Sequence, residues 1–208
     1  MRVKTLWYGV HFTDHQAQGG RMRLRSFVQS FTRLVDAGAD EARIFKDGKA
    51  LLEQLIAHDD WLAPQFEQAH PERYQQYLLH CDPLERFSVL SFVWGPGQST
   101  PVHDHTVWGM VGVLRGAELC EEFAICDGVM GATCQHRLER GQVDLVSPTV
   151  GDIHRVSNPL ADAVSVSIHV YGANIGTLPR HVFELPSGQS RPFVSGYVNT
   201  VVPNLWDV

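Results

Sequence analysis

Residues 100–109 read TPVHDHTVWG, and the two histidines in this stretch decide how the chain around them is interpreted. On a β-strand, residues i and i+2 point to the same face of the sheet. His103 and His105 can therefore reach one point while Asp104 points away from it. Two imidazoles that meet at one point are half of a transition-metal site. The pair alone is not specific, because two surface histidines produce the same pattern.

The pattern of residue types along the chain changes near Pro83. Before it, apolar residues recur at helical spacing from Arg21 to Asp36, Asp40 is placed to cap a second helix, and Pro71 is placed to open a third. After it come short runs rich in β-branched and aromatic residues, which glycine and proline separate as in an antiparallel sandwich or barrel. The order of helices followed by strands predicts a mainly β, α+β protein. The predicted strands are RFSVLSFVWG, VWGMVGVLRG, AELCEEFAI, TCQHRL, QVDLVS and AVSVSIHVYG.

The length of 208 residues fits one compact domain. We expect a single domain over residues 1–208, made of three parts. A helical N-terminal part covers about residues 1–85, a β-barrel covers about 86–185, and a segment over 186–208 wraps the sheet.

The composition is that of an ordinary globular protein, with 44% hydrophobic and 19% charged residues. The net charge of -6 argues against a nucleic-acid partner. No apolar run is long enough for a membrane span, and the first fifteen residues do not resemble a signal peptide. We therefore predict a cytoplasmic protein with no membrane partner. The four cysteines form no C-x-x-C pair and are predicted to be free buried thiols: Cys81, Cys120, Cys126 and Cys134.

A second stretch, PTVGDIHRVSN over residues 148–158, lies about fifty residues after the histidine pair. Together with Gly97 and the pair itself, it resembles the two linked motifs of the cupin superfamily, with one extra residue between Pro148 and Gly151. The resemblance implies a small β-barrel over roughly residues 87–181. It also implies that His154 is the third metal ligand, beside His103 and His105.

The chain departs from the cupin pattern because it lacks an anionic metal ligand. Cupins usually carry a glutamate ligand shortly after the histidine pair, where this chain has Gly109 and Met110. The predicted site thus consists of three neutral imidazoles, which suit Fe, Zn, Cu or Ni. Fe(II) held on one face keeps open positions for a substrate donor and O₂. Without a protein carboxylate, the site favours an anion such as a thiolate.

The stretch Val164–Tyr171 alternates strictly between apolar and polar residues, which predicts a strand with one polar face. The pattern alone favours an apolar face toward the core and a polar face toward solvent. A barrel with a polar site in its interior would reverse this orientation. The polar face carries Ser165, Ser167, His169 and Tyr171.

The polar strand and the run WGPGQSTPVHDH together resemble the cysteine dioxygenase family of thiol dioxygenases. Ser167-x-His169-x-Tyr171 is similar to the hydrogen-bonded triad of that family. The resemblance implies an Fe(II) cofactor on the three histidines, with a small thiol carboxylate and O₂ as substrates and a sulfinate as product. It also implies that Tyr171 positions oxygen or substrate, that His169 fixes the tyrosine hydroxyl, and that Ser167 fixes His169.

Two further positions resemble the bacterial, glutamine-bearing branch of the family, which prefers 3-mercaptopropionate to cysteine. Gln76 stands where mammalian-type members have a substrate-binding arginine, although Gln75 remains an alternative match. Arg180 also fits this branch, and a guanidinium fork suits a carboxylate. Gly109 stands where mammalian-type members carry a cysteine cross-linked to the active-site tyrosine, so no such cross-link is expected. The predicted substrate-binding residues are therefore Gln76 and Arg180.

Two other functions use the same three histidines. A zinc ion on three imidazoles activates water for hydration or hydrolysis. A non-catalytic or sensory cupin binds a metal without chemistry and has no need of Tyr171. Replacement of that tyrosine by phenylalanine distinguishes the second alternative from a dioxygenase.

Overall fold

The computed structural model describes residues 15–206, with side chains described from Met22 onward. The helical elements lie at the beginning, and the side chain of Asp40 accepts a hydrogen bond from the Arg43 amide, which confirms the predicted cap. The signal-peptide prediction concerns the first residues of the chain, and residues 1–14 lie outside the described part. The helices are α1 (His15–Asp36), α2 (Glu41–Arg43) and α3 (Lys49–Ile56), with a π-helical turn (Ile44–Gly48) and a 3-10 turn (Pro64–Phe66).

Between residues 15 and 206, eleven strands form two antiparallel sheets. They are β1 (Gln75–Cys81), β2 (Ser88–Trp94), β3 (Val102–His103), β4 (Gly109–Arg115), β5 (Ala117–Cys126), β6 (Val129–Glu139), β7 (Val143–Val146), β8 (His154–Ser157), β9 (Ser165–Tyr171), β10 (Arg180–Glu184) and β11 (Gln189–Phe193). One sheet has the order β1-β2-β9-β4-β7, and the other has the order β11-β10-β3-β8-β5-β6. The predicted cupin-like, mainly β architecture with N-terminal helices is confirmed.

The predicted third helix, beginning at Pro71, is wrong. Residues 75–81 form β1, an edge strand paired with β2 in the register Gln76↔Phe92. Alternation explains the strand: Tyr77 and Leu79 are buried in the core beneath the helices, while Gln76 faces the space between the sheets. Pairing with the neighbouring strand thus outweighs a run of residues that suits a helix equally well. The last described helical turn before the sheets ends at Phe66 rather than near residue 85.

Both faces of β9 are buried, which settles the orientation of its polar face. The apolar face packs in the core that includes Phe31 of α1 and Leu52 of α3. The helices therefore cover the outer side of the five-stranded sheet. The polar face turns inward, toward the six-stranded sheet, and none of its four residues is exposed to solvent. The space between the two sheets is consequently polar at this strand.

The C-terminal segment does more than wrap the surface. It contributes β11, which pairs with β10 at the edge of the six-stranded sheet. Beyond it, the Asn199 side chain accepts from the Leu78 amide and donates to the Leu78 carbonyl, so the segment runs beside β1. It therefore bridges the edges of both sheets.

The cysteines are free, as predicted, but they are not all buried. Cys120 is buried, Cys81 is half-buried, and Cys126 and Cys134 are exposed on the β5–β6 hairpin. The described part of the chain contains no helix with the length and apolar character needed to cross a membrane.

Candidate metal centre and its pocket

Three histidines converge between the two sheets. The ring centroids of His103, His105 and His154 lie 4.8–4.9 Å from one another. Their candidate ligand atoms all lie within 4.8 Å of each other, and all three side chains are buried. The strands place two of them directly, because His103 of β3 and His154 of β8 are register partners.

His105 reaches this cluster without the strand alternation that the sequence suggested, because β3 ends at His103. Two aspartates hold the loop after β3 instead. Asp104 points away, as predicted, and accepts hydrogen bonds from the backbone amide and ring Nδ1 of His181 at 2.7 and 2.9 Å. Asp152 accepts from the amides of His105 and Thr106 at 2.9 and 3.0 Å. The loop is thereby fixed from both sides.

The Nδ1 atom of each of the three histidines has a partner, so the opposite ring nitrogen is available. His103 Nδ1 donates to the Pro101 carbonyl at 3.0 Å, and His105 Nδ1 donates to Asp152 at 3.0 Å. His154 Nδ1 contacts the Cys120 sulfur at 3.5 Å. Hydrogen bonds of this kind fix the tautomer and orientation of metal-binding imidazoles. The Nε2 atom of His105 is buried and has no hydrogen-bond partner within residues 15–206, as expected for an atom that awaits a ligand.

Burial keeps His103 and His154 neutral. Burial, followed by the neighbouring His105, lowers the pKa of His103 to about 3. The same causes hold the pKa of His154 well below its ordinary value. Burial raises the pKa of Asp152, but the hydrogen bonds from His105 and Thr106 outweigh it and leave that pKa lowered. Two neutral imidazoles and the unpartnered His105 Nε2, beside an ionised aspartate, fit a divalent transition metal.

The three polar residues of β9 form a continuous hydrogen-bonded relay. The Ser167 hydroxyl lies 2.8 Å from His169 Nε2, and His169 Nδ1 lies 2.8 Å from the Tyr171 hydroxyl. The Tyr171 ring stacks on His105 with centroids 5.3 Å apart, so the relay ends beside the three-histidine cluster. The His169 ring stacks on Phe92 at 4.0 Å. The structure therefore brings together the three residues that the sequence grouped by alternation.

Gly109 lies directly against the relay. A Cβ atom at this position would lie 2.6 Å from Tyr171 Cδ1 and 2.9 Å from Val146 Cγ2. Real Cβ contacts are not this close, so the glycine makes room for the tyrosine ring. Gly109 also pairs with Tyr171 between β4 and β9, which accounts for the contact.

The predicted substrate-binding residues meet on the other side of the pocket. Arg180 is 4% exposed, and Gln76 is 7% exposed. The Ser195 hydroxyl links them, because it accepts from Gln76 Nε2 at 3.1 Å and from Arg180 Nη2 at 2.9 Å. The Arg180 guanidinium lies over the Phe193 ring at 4.6 Å. Gln75, the alternative match, turns to backbone carbonyls at Arg73 and Tyr74 and does not line this pocket.

Several pocket residues were missed by the sequence reasoning. Ser195 lies 119 residues from Gln76 in the chain, and no local pattern predicts their contact. Tyr74 lines the pocket and stacks on Trp94 with centroids 4.8 Å apart. Asp152 is different, because it lies inside the second motif, two residues before His154, and was open to prediction as the partner of a ligand histidine.

The fold and the histidine cluster define a mainly β protein with a candidate three-histidine metal site. The family model described as cysteine dioxygenase type I matches residues 25–182, and the chain belongs to that family. By family it is a thiol dioxygenase.

Solved structures also resemble parts of the chain. A protein from Thermus thermophilus is 20% identical over 52% of this chain and 91% of its own, with a TM-score of 0.42. An RmlC-like cupin from Desulfovibrio desulfuricans is 20% identical over 55% of this chain and 96% of its own, with a TM-score of 0.41. A cupin superfamily protein from Desulfitobacterium hafniense is 13% identical over 51% and 84%, with a TM-score of 0.40.

Proposed function

We propose that the protein is an Fe(II)-dependent thiol dioxygenase that converts a small thiol carboxylate to its sulfinate, with 3-mercaptopropionate preferred to cysteine. One observation carries the substrate class. Arg180 is a buried cation in the same pocket as His103 and His154, and no carboxylate in residues 22–206 is hydrogen-bonded to it. A buried charge without a partner is costly, so an anionic ligand fits there.

The metal ligands in this proposal are His103, His105 and His154. When bound there, Fe(II) supplies a Lewis-acidic site that favours a thiolate over a thiol and accommodates O₂ beside it. Three imidazoles place no anionic protein ligand on the metal itself. The thiolate of the substrate is therefore a natural counter-charge at this end of the pocket.

The other end of the pocket accounts for carboxylate binding. The partnerless Nε of Arg180 is a free donor on a guanidinium that suits a carboxylate. Ser195 and Phe193 restrain the guanidinium from two directions. Gln76 restrains Ser195 in turn, so we assign it a role in orienting the substrate through that hydroxyl and along the pocket wall.

The absence of an acidic group favours 3-mercaptopropionate. No aspartate or glutamate is among the described residues that line this pocket. Cysteine differs from 3-mercaptopropionate by an ammonium group, which would lie near a cationic arginine without a carboxylate to pair with. Desolvation of an unpaired ammonium is costly, so the simpler mercapto acid is the better substrate.

Tyr171 has the position and the protonation state of a hydrogen-bond donor. Burial raises the pKa of its hydroxyl, so the group keeps its proton at neutral pH. Its ring stacks on His105, one of the proposed metal ligands, which supports a role for the hydroxyl in the reaction. In this proposal His169 and Ser167 hold the hydroxyl in place, and Tyr171 donates to oxygen or to the substrate.

The test uses purified protein loaded with Fe(II) without air and then mixed with O₂ and one thiol at a time. We expect sulfinate from 3-mercaptopropionate, with a higher kcat/KM than for cysteine and cysteamine. Arg180→Ala should raise KM for the mercapto acid, whereas Arg191→Ala, an exposed arginine of the neighbouring strand, serves as the matched control. Absence of sulfinate from all three thiols contradicts the proposal. Stoichiometric zinc with hydrolytic activity would favour the alternative.

A further inference from the structure

Glu118 is a buried carboxyl that the proposed reaction does not use. It is the second residue of β5 and is fully buried, at 0% exposure. Neither carboxyl oxygen has a hydrogen-bond partner of ordinary geometry within residues 15–206. Buried polar groups almost always have partners, so a fully enclosed carboxyl without them indicates a specific role.

The surroundings of Glu118 connect it to the relay. In the turn before β5, a Cβ on Gly116 would lie 3.0 Å from Ser165 Cα, so the beginnings of β5 and β9 are in close contact. Two residues further along each strand, the Ser167 hydroxyl is close enough to Glu118 to lower the pKa of the carboxyl, although no hydrogen bond of ordinary geometry joins them. The Trp94 indole, whose Nε1 donates to Ser167 at 3.3 Å, also lies close enough to lower the pKa of the carboxyl. Glu118 thus follows Ser167 at the end of the relay furthest from the metal cluster.

We propose that Glu118 is the terminal positioning residue of the relay, and that its proton sets the direction in which the relay donates hydrogen bonds. The relay has one proton on each hydroxyl and one on the neutral imidazole. Its two ends therefore cannot be oriented independently. The carboxyl touches neither the substrate nor the metal ligands in this proposal and acts only through Ser167.

The two protonation states give opposite directions. When Glu118 is neutral, its O–H donates to Ser167, Ser167 donates to His169 Nε2, and His169 Nδ1–H donates to the tyrosine oxygen. The Tyr171 O–H is then free to donate into the pocket. When Glu118 is ionised, it accepts from Ser167, which accepts from His169 Nε2–H. His169 Nδ1 then accepts the Tyr171 proton, and the pocket loses its donor.

Both states are accessible near neutrality. Burial raises the pKa of Glu118 to about 7, against the lowering effect of the Ser167 and Trp94 donors, and the charge of Asp144 raises it further. Cys120, two residues along β5, is also buried, and its pKa is raised by burial, so it adds no charge. No basic side chain between residues 22 and 206 forms a salt bridge with Glu118.

The first test reads the hydrogen-bond direction in metal-free protein, where the proposed catalytic function plays no part. Nitrogen-15 NMR of the His169 ring distinguishes the Nδ1–H from the Nε2–H tautomer, and a His169→Asn variant assigns the signals. We expect the proton to move from Nε2 to Nδ1 as the pH falls through about 7. Glu118→Gln should abolish this transition, whereas Glu122→Gln, a half-exposed carboxyl on the same strand, should keep it. A pH-independent tautomer in the wild type, or a transition that survives in Glu118→Gln, would overturn the inference.

A second variant tests the connection without altering the carboxyl. Ser167→Ala removes the link, so Glu118 should still titrate in difference infrared spectra while the His169 tautomer no longer follows it. A tautomer that still follows the carboxyl in this variant would contradict the proposed path.

The consequence for turnover rests on the proposed function and is measured separately. In wild-type Fe(II) protein, kcat should fall as the pH rises through the Glu118 transition, because Tyr171 then no longer donates into the pocket. Glu118→Gln should remove that inflection from the kcat profile. An inflection that persists in the variant would count against Glu118, whereas a lack of any sulfinate with an intact tautomer transition would count only against the proposed function.

Discussion

The buried Glu118 carboxyl should make the folded protein less stable as the pH rises, and Glu118→Gln should remove this effect. The carboxyl has an ordinary pKa of 4.5 and a folded-state pKa of about 7. Because the folded-state value is the higher one, the stabilisation from the bound proton is complete below about 4.5 and is lost as the pH rises through about 7. At 1.36 kcal/mol for each pH unit between these values, the loss is about 3 kcal/mol in free energy of unfolding.

Urea denaturation of metal-free wild type and Glu118→Gln at a series of pH values measures this difference. The buried histidines of the metal cluster and the relay titrate in both proteins, so their contributions cancel when one curve is subtracted from the other. Gln has nearly the same shape, so the variant should gain on the wild type as the pH rises, by about 3 kcal/mol above pH 7. Glu122→Gln should leave the wild-type slope in place, because water reaches that carboxylate. Parallel stability curves for wild type and Glu118→Gln would refute the reasoning.

Three further substitutions test the pocket. Gly109→Ala forces the Tyr171 ring to move, so it should cost about 1–3 kcal/mol in urea denaturation and reduce sulfinate formation; an unchanged turnover would contradict the assigned contact. Asp152→Asn weakens the partner of His105 and should lower metal affinity roughly 10–100-fold in competition with a chelator, and equal affinity would exclude a supporting role. Arg180→Lys keeps the charge but loses the fork, so KM for 3-mercaptopropionate should rise on the order of tenfold with little change in Tm; an unchanged KM would remove Arg180 from the binding site.

The convergence of the three histidines was predictable because the two motifs, at their observed spacing, resemble the linked motifs of the cupin superfamily. The local reason given for His105 was nevertheless wrong in detail. Strand alternation ends at His103, and the loop is fixed by hydrogen bonds to Asp104 and Asp152. Hydrogen bonds to side chains thus set the position of the His105 ring, and the alternation of residues along a strand takes no account of them.

Strand β1 could not be predicted from its local residue pattern. The run from Gln75 to Cys81 contains residues that suit a helix or an edge strand, and only pairing with β2 decides between them. That pairing also explains why Gln76, and not Gln75, lines the pocket. Ser195 and Glu118 were missed for a related reason: each acts on a residue far away in sequence, and neither belongs to a motif.

The position of Ser195 in the chain has a consequence for how the pocket is assembled, because its hydroxyl joins Gln76 to Arg180. The three histidines and the relay residues all lie at or before Tyr171, whereas the hydroxyl that restrains both Gln76 and Arg180 lies after it. A chain that stops before β11 would retain every metal-binding side chain and lack the group that organises its carboxylate-facing wall. In the proposed function, the residues that bind the metal and the hydroxyl that organises substrate binding therefore lie in different stretches of the chain.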